Sequence, residues 1–165
     1  MSRCLVMVLV ATLCAGCQYA QLNVRVDLYD EDPRAIVPMS PEVATRLIED
    51  PALTDYVNEQ RIALEICLTS NVQTRAAASY EAHPLRRYFD AGLNVVLNTD
   101  NRLMSGTTLT DEYAHAAEHL DFSFDELATI ALNGFASAFL PADERDRLIE
   151  SATADIAALK GAARV

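Results

Sequence analysis

The stretch HPLRRYFDAGLNVVLNTDN, residues 83–101, changes its period midway. Its first half reads as a short helix closed by Gly92, a residue favoured just past a helix end. Its second half places Val95, Val96 and Leu97 in unbroken succession, the pattern of a strand buried on both faces. That strand runs into Asn98-Thr99-Asp100-Asn101. Turn residues do end buried strands, but an acid flanked by amides at such a tip also suits a site.

The pattern extends outward from this stretch. EDPALTDYVNEQ (49–60) opens a helix with Asp50 as N-cap and Pro51 at the first helical position. IALEICLTS (62–70) reads as a strand, with Cys67 as a small core residue. Three helices follow the second strand. TLTDEYAHAAEHL (108–120) has a Thr108-x-x-Asp111 start, and SFDELATIALNGFASAFL (123–140) opens with the capping box Ser123-x-x-Glu126. PADERDRLIESATADIAALKG begins at Pro141 and carries Leu148, Ile149, Ile156 and Leu159 near helical spacing. Alternating helices and continuous apolar strands imply parallel pairing with helices packed outside. Ligands of such sheets gather at the carboxyl ends of the strands. Both strands end there in polar clusters, Thr69-Ser70-Asn71 and Asn98-Thr99-Asp100-Asn101, with Ser70 and Asn71 expected to support a pocket by hydrogen bonds.

The 165 residues suffice for one domain, and half of them are hydrophobic. A formal net charge of −11 argues against nucleic-acid or anionic-membrane partners, which need a basic surface. The cysteines lie at 4, 14, 17 and 67. Residues 1–20 form a separate hydrophobic segment: Met1-Ser2-Arg3 is short and positive, Cys4 to Cys14 is almost wholly apolar, and Ala15-Gly16 precedes Cys17. This resembles a bacterial secretory or lipoprotein signal, with Cys17 as the lipidated anchor. Cys14-x-x-Cys17 lacks the strand-helix context of a redox motif and a second pair for zinc. Residues 21–43 hold one alternating run, LNVRVDLYD, and an acidic, proline-broken linker.

From residue 44 to the C-terminus at 165, the chain resembles the adenosine deaminase family, zinc-dependent purine aminohydrolases on a (β/α)8 barrel. The resemblance rests on LEICLTSNVQT, HPLRRYFDAGLNVVLNTDN, LTDEY and LNGFASAFLPADER, in that order, with IEDPAL just upstream. It implies an α/β fold in which residues 62–70 and 94–100 are the seventh and eighth barrel strands, an incomplete barrel of two parallel strands plus helices. The family's eighth strand ends in Thr-Asp-Asp or Thr-Asp-Asn. By that match Asp100 is a zinc ligand and Asn101 contacts the purine ring near N7. A carboxyl group at 101 must be protonated to donate to N7, whereas an Asn amide donates as it is. The implied reaction is hydrolysis of a C–N bond of an amidine: adenosine or a related adenine compound yields the 6-oxopurine and ammonia. Zinc supplies hydroxide near neutral pH, and a separate glutamate delivers a proton to the ring.

The family needs more than this chain encodes. It takes two zinc histidines from a His-x-His, a third from the fifth strand with a glutamate three residues on, and a catalytic histidine in a Gly-His pair. Here Glu42-Val43 stand where that pair is expected, and no histidine precedes His83. No catalytic residue is therefore assigned, and the chain alone is expected to be inactive, a C-terminal deaminase segment joined to an unrelated start. Open sheet edges would favour self-association. The other reading is non-catalytic: an exported or lipid-anchored interaction protein derived from a deaminase half-domain. Location stays divided between the family's usual cytoplasm and the signal-like opening.

Two further features read as structural. His115-x-x-Glu118-His119 matches the H-x-x-E-H pattern of one metallopeptidase class. With Leu109, Tyr113, Ala116, Ala117 and Leu120 as the apolar stripe and no third ligand following, it reads as a solvated helix face. His83, before Pro84 at a helix start, reads as a capping or loop-packing residue.

Overall fold

The computed structural model describes residues 47–162. The signal-like segment, Cys17 and the run LNVRVDLYD lie outside the described residues. A 3-10 turn at Leu47–Glu49 leads into α1 (Pro51–Glu59), then β1 (Leu64–Ile66), α2 (Leu68–Gln73) and α3 (Leu85–Asp90). After β2 (Val95–Leu97) come α4 (Arg102–Ser105), α5 (Leu109–His119), α6 (Phe124–Ala136) and α7 (Ala142–Ala162). Among the described residues no helix is long and apolar enough to cross a membrane.

The helix starts form where short-range chemistry places them. The Asp50 carboxylate accepts from Leu53 N–H at 3.1 Å, with Pro51 opening α1. Thr108 and Asp111 form a reciprocal capping box on α5, as Ser123 and Glu126 do on α6. Gly92, at φ +77°, ends α3. Its N–H donates to Phe89 C=O at 2.9 Å and Leu93 N–H donates to Tyr88 C=O at 3.1 Å, the paired bonds of a Schellman ending.

β1 and β2 pair in parallel, with Leu64 opposite Val95 and Ile66 opposite Leu97. Side chains alternate, so Leu64, Ile66, Val95 and Leu97 share one face, and all four join the main core with Leu85, Tyr88, Leu127 and Ile130. Glu65 and Val96 share the other face. Asn94 C=O and Asn98 N–H bond to β1, so the backbone groups of Val95 and Leu97 point to the opposite edge. There Asn133 of α6 donates to Val95 C=O at 3.2 Å and covers part of the edge expected to lie open. Gly134 of this helix faces Val96, whose Cγ1 a Cβ there would meet at 3.4 Å, an ordinary packing distance.

Arg86 fastens α3 to α6. Its guanidinium donates to Glu126 at 2.6 Å and Asp90 at 2.6 Å while lying 4.4 Å from the Phe122 ring centroid. The hydrogen bond from Arg86 holds the Glu126 carboxyl down to about 2. α7 closes the outside through Ala152, Ile156 and Leu159, with Lys160 donating to Asp125 at 2.6 Å.

One expectation needs correction. The strand expected over 62–70 stops at Ile66, and Leu68 already begins a helix. The last ladder bond runs from Asn98 N–H to Ile66 C=O at 2.8 Å, and Cys67 C=O then accepts from Asn71 N–H at 2.8 Å as the helix begins. Leu68, Thr69 and Ser70 are all buried in that first turn, so the apolar pattern is the same either way. Cys67 occupies the N-cap position as a partly buried free thiol.

Candidate functional site

The carboxyl ends of β1 and β2 bring together side chains far apart in sequence. Ser70 Oγ donates to Asp100 Oδ2 at 2.8 Å across a gap of 30 residues. Asp100 is solvent-exposed and sits at φ +50°, a left-handed conformation that Asp tolerates better than most residues. Arg61, Arg75 and Asp121 share this conformation, at a cost on the order of 1 kcal/mol each, so it is the bond to Ser70 that distinguishes Asp100.

Asn101, next along, is the N-cap of α4. Its Oδ1 accepts from Leu103 N–H and Met104 N–H, both at 3.2 Å. Turn chemistry is therefore present at this residue. It also decides which end of the amide is which: the oxygen is committed to the helix start, so the Nδ2 group is the donor end.

Two acids unassigned by sequence reasoning complete the edge. Glu65 projects from β1 on the same face as Val96, and Asn98 Nδ2 donates to its carboxylate. Burial raises its pKa to about 7, against the Asn98 hydrogen bond, with the Asp100 charge adding to the rise. Glu112 of α5 is wholly buried. Its Oε2 accepts from Thr69 N–H at 3.1 Å and its Oε1 from Thr107 Oγ1 at 2.9 Å. Tyr80 Oη donates to Thr69 Oγ1 at 3.3 Å, extending the network to the loop before α3. Burial pushes the Cys67 thiol well above its usual range, and the charges of Glu65, Asp100 and Glu112 push it further. Glu65, Asp100 and Glu112 thus gather three carboxyl groups around this edge.

Asn71 supports this corner through His83. Leu85 N–H donates to His83 Nδ1 at 3.1 Å, and Asn71 lies 3.0 Å from Nε2. Burial lowers the His83 pKa to about 4, so the ring is neutral and carries its proton on Nε2. It must then donate to the Asn71 amide oxygen, which sets the orientation of that amide. His83 is a loop-packing residue, as its place before Pro84 implies.

The H-x-x-E-H face is not simply solvated. His115 and His119 stack on Tyr80 at centroid distances of 4.3 and 5.0 Å, and both are partly buried. Tyr80 lies some 35 residues upstream of His115, beyond any helical periodicity. Glu65 did leave a signal, an acid inside the apolar run Leu64-Glu65-Ile66.

Whether zinc fits the strand ends is decided by the donors. Among the described residues no group of three ligand-type side chains includes Asp100. One carboxylate does not hold the ion, so the described residues at the strand ends do not by themselves make a zinc site.

A family model described as adenosine deaminase matches residues 44–154. An adenosine deaminase of Clostridium acetobutylicum is 40% identical over 98 residues, covering 59% of this chain and 29% of the relative. The structure of an adenine deaminase from Arthrobacter aurescens superimposes with a TM-score of 0.63 at 30% identity, covering 66% of this chain and 33% of that one. The fold also matches an amidohydrolase from Burkholderia ambifaria, solved with bound Zn, at a TM-score of 0.65 and 20% identity over 72% of this chain and 33% of that one. The chain spans about a third of the length of the relatives it matches, 29% for the first.

Proposed function

The chain belongs to the adenosine deaminase family, and from that premise we propose that its two strand ends form the 6-aminopurine-binding corner of a deaminase site. Asp100 is the residue that would ligate zinc, and Asn101 is the residue that would donate to the purine ring near N7. One observation carries this reading: Ser70 holds Asp100 at 2.8 Å at the carboxyl end of two parallel strands, beside an amide whose oxygen is already bonded to a helix start. Bound zinc in this family supplies a hydroxide nucleophile near neutral pH. This chain's own contribution is to fix one carboxylate and one donor.

The reading separates the corner from the whole reaction. With histidines only at 83, 115 and 119, the chain supplies none in the segments where the family carries its zinc and catalytic histidines. The purified chain is expected to show no adenosine turnover. A chimera tests the corner directly: residues 44–154 replace the corresponding segment of the Clostridium acetobutylicum adenosine deaminase. The chimera is expected to deaminate adenosine and to contain one zinc. Asp100→Asn should lose at least 100-fold in kcat/KM, and Asn101→Ala should raise KM. A folded, inactive chimera, or full activity after Asp100→Asn, would overturn the proposal.

A further inference from the structure

We propose that His115, Glu118 and His119 on α5 form a second, separate site for a borderline divalent cation such as zinc, clamped beneath the loop that carries Tyr80 and Glu81. The three residues lie at i, i+3 and i+4, so they share one helix face. One ligand atom from each lies within 4.8 Å of the others. A tetrahedral site with metal–nitrogen bonds of about 2.0–2.1 Å spaces its ligand atoms roughly 3.3 Å apart. The present spread is wider, so binding would draw the three side chains together.

The rings are already held for the task. Tyr80 stacks on His115 with an interplanar angle of 21° and on His119 with one of 17°, while the two imidazole centroids are 5.6 Å apart. His119 Nδ1 lies 2.8 Å from Glu81 Oε1. A histidine that donates Nδ1–H to a carboxylate presents the Nε2 lone pair, the arrangement that orients metal-binding imidazoles and raises their basicity. His115 Nδ1 is the one buried side-chain polar atom among the described residues with no hydrogen-bond partner. A buried nitrogen that the protein leaves unused is ordinarily disfavoured, and a site for a ligand explains its retention.

The donor set names the ligand class. Two imidazoles with one carboxylate suit zinc, cobalt, nickel or copper, whereas magnesium and calcium prefer all-oxygen surroundings. The formal charge of −11 favours any cation, so the selectivity must come from the imidazoles. Tyr80 also donates to Thr69 behind the sheet edge. A cation at α5 would thus tie the loop before α3 to the helix and steady the base of the purine corner from outside.

The test is a calorimetric titration of the full chain with ZnCl2, supported by the visible spectrum of the Co2+-loaded protein. One equivalent is expected to bind, with cobalt bands indicating nitrogen ligation. His115→Ala and His119→Ala should each weaken binding at least 10-fold. Glu81→Gln, at a side chain 63% exposed and therefore safe for folding, should weaken it about 10-fold through the lost support of His119. Asp100→Asn should leave it unchanged, which keeps this site distinguishable from the one proposed at the strand ends. Absence of binding, binding indifferent to the histidine and Glu81 substitutions, or binding abolished by Asp100→Asn would each overturn the inference.

Discussion

The helix starts and the carboxyl edge of the sheet use the same residue types for opposite ends. At the starts, Asp50, Thr108, Asp111, Ser123 and Glu126 satisfy backbone N–H groups within three residues of themselves. At the edge, Ser70, Thr69 and Asn98 reach partners 30, 43 and 33 residues away. Local partners stabilise a helix and are complete without any ligand. Distant partners exist only once the fold has formed, and they position groups such as Asp100 that the fold does not itself require. Long-range ties such as Arg86–Glu126 and Lys160–Asp125 also join scaffold elements, so what sets the edge apart is that its distant partners gather around one exposed carboxylate, Asp100.

The largest expected effect breaks the distant network from inside. Glu112→Ala removes the acceptor of Thr69 N–H and Thr107 Oγ1 and leaves a cavity at a fully buried position. It should cost about 3 kcal/mol in urea unfolding. A cost no greater than that of a cap substitution would erase the distinction. Ser123→Ala, on the local side, should cost about 1 kcal/mol and lower the helicity of α6, measured by circular dichroism and urea unfolding.

Acid probes the Arg86–Glu126 tie, which joins the two classes because it runs between α3 and the capping box of α6. The folded-state pKa of Glu126, about 2, lies below its ordinary 4.5, so its contribution is present in full above the ordinary value. It should be lost as pH falls from about 5 toward 2. The pair is partly exposed, so the loss is on the order of 0.5–1 kcal/mol, and Arg86→Met should flatten that part of the pH–stability curve. The smallest effect is expected where cap and site coincide. Asn101→Asp should change stability by less than about 0.3 kcal/mol, since both residues cap well. In the chimera, however, it should make substrate affinity pH-dependent, because the carboxyl group must then gain a proton to donate.

The same contrast explains what could be read beforehand. The helix starts at Asp50, Thr108 and Ser123 and the ending at Gly92 were legible because all their determinants are neighbours in sequence. The two parallel strands were legible from their continuous apolar runs. The end of the first strand was not, because Leu68 is buried equally well by a strand or by the first turn of a helix. The roles of Glu65 and Glu112 depend on partners that pairing and packing supply. In LTDEY the spacing from Thr108 marked Asp111 as a capping acid, but nothing local marked Glu112 as buried. The stacking of Tyr80 on His115 and His119 crosses from a loop to a helix and has no periodicity to betray it.

The ligand contact proposed for Asn101, added to its capping role, would have an evolutionary consequence. Asn and Asp start helices about equally well, so selection for folding is blind to an exchange between them at this position. A purine bound as proposed would not be blind to it, since one residue donates as it stands and the other must first be protonated. A lineage can therefore cross between amide and acid here without passing through an unstable intermediate. On the proposed reading, substrate and working pH alone would then decide which residue stands at position 101.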